Sequence, residues 1–100
     1  MMNSVKDWLK KWYEENAGIA EFQKIELRLP QGEEESNKAS LLIEFRNWLA
    51  SFTVWKIGTT EWIVVDALTQ EVVTNRDEEY STEQELNQII GRAINELRQL

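Results

Sequence analysis

An α+β fold is predicted: an antiparallel β-meander of about five strands flanked by an N-terminal and a C-terminal helix (α-β5-α). Three observations predict it. Apolar residues recur at helical spacing near both ends of the chain, and they alternate with polar ones through the middle. The links between the alternating runs are too short to carry parallel crossovers. The length of 100 residues suits one domain spanning 1–100.

The first helix is read from Val5, Trp8, Leu9 and Trp12, with Lys6, Asp7, Lys10, Lys11, Glu14 and Glu15 between them. Asn3 or Ser4 caps it. Asn16-Ala17-Gly18 has the form of a C-terminal stop, but Ile19 and Phe22 continue the apolar spacing, so the helix ends there or runs on through Gly18. Alternation takes over at Ile25, Leu27 and Leu29, against Lys24, Glu26 and Arg28, which is the period of a half-buried strand. Pro30-Gln31-Gly32 ends it. Residues 31–38, with Glu33, Glu34 and Glu35 in a row, have nothing to bury and form a solvated loop.

A second strand spans 39–46, with Leu41, Ile43 and Phe45 on one face, and a turn starts at Asn47 or Trp48. The β-branched and aromatic run 49–55 leads through a glycine-containing loop over 56–60 to a strand over 61–67. Leu68-Thr69-Gln70 then turns into a last strand over 71–75. The second helix places Leu86, Ile89, Ile90, Ala93, Ile94, Leu97 and Leu100 on one side. Ser81 or Thr82 begins it, and Gln84 and Glu85 lie three residues on from these, so either choice makes a capping box.

Composition narrows the chemistry. The chain has neither Cys nor His, which removes disulfides, thiol nucleophiles, Cys or His metal ligands and the commonest general base. No Ser stands in a G-x-S-x-G or S-x-x-K motif, and no glycine loop is built to cradle phosphate. Asp77-Glu78-Glu79 lacks the alternating ligands of a calcium loop. A binding protein is therefore expected rather than an enzyme, with no cofactor and no metal. The first residues carry charge and no apolar h-region, and no apolar run reaches the ~18 residues of a membrane span. Neither a leader nor a membrane contact is expected, and the cytoplasm is the expected compartment.

Two features stand above this background. The net charge of −7 belongs to residues 61–85, where Glu61, Asp66, Glu71, Asp77, Glu78, Glu79, Glu83 and Glu85 face only Arg76. A field of that sign opposes nucleic acid and favours a basic partner, and it also serves as a solvated, solubility-promoting face. The second feature is five tryptophans. Trp8 and Trp12 fall on the buried stripe of the first helix. Around Trp48, Trp55 and Trp62, however, both faces of the hairpin carry large apolar residues. The two helices either cover one sheet face, leaving the other to bind protein through tryptophan beside acids, or lie one on each face. Trp55, Glu61, Trp62, Asp66, Asp77, Glu78 and Glu79 are the candidate partner-binding residues on these grounds.

The segment Thr53-Val54-Trp55-Lys56-Ile57-Gly58, followed by Trp62-Ile63-Val64-Val65-Asp66-Ala67-Leu68-Thr69-Gln70-Glu71, resembles the TriTu-type bacterial immunity proteins, as does the first helix ending in Trp12-Tyr13-Glu14-Glu15-Asn16. The likeness extends over most of the chain through moderately specific turn signatures. One departure is Gln70, where the pattern has glycine after the threonine. The resemblance implies a cytoplasmic antidote to the toxin of a polymorphic or contact-dependent secretion system. For this type the toxin is an ADP-ribosyltransferase acting on elongation factor Tu, and occlusion of its basic active-site cleft is the expected mode. No contact residues carry over from the family. The alternatives are immunity to a nuclease-type toxin, or a regulatory domain that holds a small ligand in a Trp-lined pocket.

Overall fold

The computed structural model describes residues 4–16, 18, 22–29 and 38–100. Their order is α1 (Val5–Asn16), β1 (Lys24–Arg28), β2 (Lys38–Phe45), β3 (Trp48–Trp55), β4 (Thr59–Asp66), β5 (Val72–Glu79) and α2 (Glu83–Arg98). The five strands make one antiparallel sheet in sequence order, so the α+β meander between two helices is present.

Helix ends follow local hydrogen bonding. Ser4 Oγ accepts the Asp7 N–H at 3.0 Å and begins α1. The shorter of the two readings of this helix holds: it ends at Asn16, whose Nδ2 donates to the Trp12 carbonyl at 2.8 Å, and Gly18 lies in a turn beyond it. Ile19 and residues 31–37 of the loop expected over 31–38 fall outside the described residues, and Lys38, expected in that loop, belongs to β2. For α2 the cap is Thr82. Its hydroxyl accepts the Glu85 N–H at 3.1 Å while Glu85 Oε1 accepts the Thr82 N–H at 3.1 Å. Replacing Thr82 with Ala is expected to cost about 1 kcal/mol of stability, read as a lower urea midpoint at unchanged slope.

Both helices lie on one face of the sheet. Leu41, Ile43 and Phe45 of β2, Ala50, Phe52 and Val54 of β3, and Trp62 and Val64 of β4 meet Val5, Trp8 and Leu9 of α1 and the buried stripe of α2 in a single core. At its centre, Trp8 lies 6.5 Å from Phe52, and Phe52 6.4 Å from Trp62, ring centre to ring centre. Trp8 Nε1 donates to Asn87 Oδ1 at 2.9 Å and ties α1 to α2. Leu100 departs from the expected stripe: it is exposed, past the end of the helix.

Several strand boundaries differ from the sequence reading, by one to four residues. Arg46 and Asn47 form a two-residue turn, so Phe45 pairs with Trp48 and Trp48 opens β3 instead of the turn. Arg46 takes a positive φ of 56°, the kind of backbone such a hairpin requires. The next link is only 56–58, with Thr59 and Thr60 already in β4. Strand β5 runs on to Glu79, four residues past Asn75, because the charged stretch alternates between half-buried and exposed positions on a sheet edge.

Gln70, the departure from the family pattern, takes the left-handed conformation itself, at φ 65°. The turn around it supplies the compensation. Gln70 N–H donates to the Asp66 carbonyl at 2.7 Å, Asp66 N–H to the Glu71 carbonyl at 2.9 Å, and Glu71 N–H to Thr69 Oγ1 at 3.3 Å.

Candidate functional site

Neither helix packs on the other face of the sheet, where strand pairing sets out four rows. Glu44, Leu49, Val65 and Val72 form the first; Leu42, Ser51, Ile63 and Asn75 the second. Ser40, Thr53, Glu61 and Asp77 form the third, and Lys38, Trp55, Thr59 and Glu79 the fourth. Leu49 and Val72 are exposed, while Leu42, Ile63 and Val65 are half-buried, so an apolar band crosses the first two rows. Ser40 and Thr53 share a hydroxyl hydrogen bond of 3.1 Å in the third.

Charge on this face is divided by strand. On β1 and β2, Lys24 pairs with Glu44 at 3.9 Å and Arg28 with Glu26 at 3.3 Å, and Lys38 adds a further base. On β4 and β5 the face carries Glu61, Asp77 and Glu79 and no base, and none of the three joins an ion pair among the described residues. A recess of about 260 Å³ opens at this corner, lined by Trp55, Ile57, Thr59, Thr60, Glu61 and Asp77.

Of the seven residues singled out from sequence, the structure brings together Trp55, Glu61, Asp77 and Glu79. Trp62 does not join them. It points into the core, 2% exposed, because it pairs with Phe52 under the helices, so it cannot anchor a partner as a surface side chain. Glu78 lies on the helix-covered side, bound to Arg92 at 3.1 Å and Arg76 at 3.4 Å, and Arg76 reaches Glu96 at 2.7 Å. The Glu96 hydrogen bond raises the Arg76 pKa above its ordinary value, so this network stays cationic at its centre. Asp66 closes the turn after β4, where its Oδ1 accepts the Leu68 N–H at 2.8 Å. Those two acids are occupied within the fold. Among the described residues no group of acids is placed to hold a metal ion.

Trp55 is held by a clamp that sequence reasoning missed. Tyr80 O–H donates to the Trp55 carbonyl, which also accepts the Gly58 N–H at 3.1 Å, and Tyr80 N–H donates to the Gly58 carbonyl at 2.9 Å. Burial raises the Tyr80 pKa above that of a free phenol, so the hydroxyl remains a donor. Gly58 sits at φ 105°, and a Cβ there would meet the Tyr80 carbonyl oxygen at 3.1 Å. The only sequence signal for the clamp is an aromatic residue just before the α2 cap.

No curated protein matches the chain. A family model described as "Immunity protein TriTu" matches residues 7–96, from the first turn of α1 to the last turns of α2, and therefore takes in the whole sheet. The chain belongs to the TriTu immunity protein family.

Proposed function

We propose that the chain is a cytoplasmic antidote that neutralises a cognate toxin by binding rather than by turnover, and that the toxin is an ADP-ribosyltransferase acting on elongation factor Tu. The family match over 7–96 carries this reading. The surface is consistent with it. An enzyme that transfers ADP-ribose must bind a pyrophosphate, so its active-site cleft presents basic groups, and a folded domain whose Glu61, Asp77 and Glu79 join no ion pair among the described residues competes for them. Neutralisation is then occlusion, with one antidote per toxin.

Co-expression tests it. The chain should restore growth to cells producing the toxin domain encoded beside its gene. Purified, it should abolish ADP-ribose transfer to elongation factor Tu at an equimolar endpoint. Rescue from a toxin that instead cleaves nucleic acid would keep the antidote and replace the toxin chemistry, whereas no rescue at all would end the proposal.

A further inference from the structure

We infer that the recess at the β4–β5 corner of the helix-free face receives one arginine or lysine side chain projecting from the toxin, and that the apolar band beside it covers the surface from which that side chain rises. The inference rests on the antidote reading above. The two walls of the recess differ in kind. Trp55 and Ile57 form an apolar wall, Ile57 being 81% exposed at the tip of the hairpin, while Glu61 and Asp77, paired across β4 and β5, form an acidic one. A long basic side chain fits both, since its methylene stem packs on the apolar wall and its head meets two carboxylates. A guanidinium or ammonium also gains from the face of an indole. At about 260 Å³ the recess is below the roughly 300–1,000 Å³ typical of small-molecule sites, so one side chain is a better match in size than a cofactor.

The surroundings support a basic protein over a second copy of this chain. Leu49, Val65 and Val72 lie two rows from Glu61 and Asp77, so a partner that buries the band also desolvates its contact with the acids. A second copy would bring its own net charge of −7, and of the bases that β1 and β2 place on this face, Lys24 and Arg28 sit in ion pairs already, which leaves Lys38 against three acids.

The test is a double-mutant cycle with the cognate toxin domain. Glu61→Gln with Asp77→Asn keeps shape and removes charge; it is expected to weaken binding by about tenfold to a hundredfold and flatten its dependence on salt. Glu14→Gln with Glu15→Gln, on α1, is expected to change neither. Alanine substitution of the toxin's lysines and arginines should then find one whose loss is no longer additive with the Glu61–Asp77 change. If the Glu61–Asp77 variant binds like the unaltered chain while protection persists, the docking assignment is wrong and the antidote reading stands. If the unaltered chain neither binds nor protects, both fall.

Discussion

Replacing Trp62 by alanine is expected to cost about 3–5 kcal/mol of folding stability, the largest effect of any single change on β4. The side chain is 2% exposed and stands in the ring cluster with Phe52 and Trp8, so its removal opens a cavity between the sheet and both helices. A domain of this size is stable by only about 5–15 kcal/mol, so the variant should show a much lower urea midpoint and a measurable unfolded fraction in water. Trp62→Phe should behave differently. Among the described residues Trp62 Nε1 is buried without a hydrogen-bond partner, and phenylalanine removes that donor along with the ring volume. The two terms oppose each other, so the phenylalanine variant is expected within about 1.5 kcal/mol of the parent. A Trp62→Phe loss as large as that of alanine would mean that the indole N–H has a partner in solution.

The same residue shows where the sequence stops being readable. The meander was legible because the loops are short and the alternation in β1 and β2 is clean. Which face Trp62 takes depends on loop length, since a one-residue change in a hairpin link reverses every side chain beyond it. With the turn held to Arg46 and Asn47, Phe45 faces Trp48, Leu41 faces Phe52, and the three-residue link at 56–58 sets Phe52 against Trp62. A link drawn over 56–60 shifts the register by two residues, sets Trp62 against Val54 and keeps it on the face of Phe52; what stays open in the sequence is which face the helices cover, because both faces of the hairpin carry apolar residues. Asp77, Glu78 and Glu79 were legible as an acidic run but not as a strand. Only pairing with Thr59, Thr60 and Glu61 sends Asp77 and Glu79 to the helix-free face and turns Glu78 toward Arg92. The clamp on Trp55 joins residues 25 apart through a backbone carbonyl, a contact no local pattern encodes.

Trp55→Ala is expected to have the opposite profile to Trp62→Ala: a change in folding stability within about 1 kcal/mol, and a loss of about 2–4 kcal/mol in toxin binding. Trp55 is half-buried, on the face that carries no helix, so truncation leaves the core of Phe52, Trp8 and Trp62 intact while one wall of the recess disappears. Loss of affinity should appear mainly in the dissociation rate, because the steering charges of Glu61, Asp77 and Glu79 are retained. Tyr80→Phe separates contact from preorganisation. Tyr80 does not itself line the recess; the change keeps the ring against the core and deletes only the hydrogen bond to the Trp55 backbone carbonyl, about 0.5–1.5 kcal/mol in the free protein. If a rigid hairpin is part of what the toxin recognises, ordering that Tyr80 supplies beforehand must instead be supplied on binding, and affinity falls several-fold with the contact surface unchanged. Unaltered affinity in Tyr80→Phe, beside a large loss in Trp55→Ala, would place the whole effect in the indole itself.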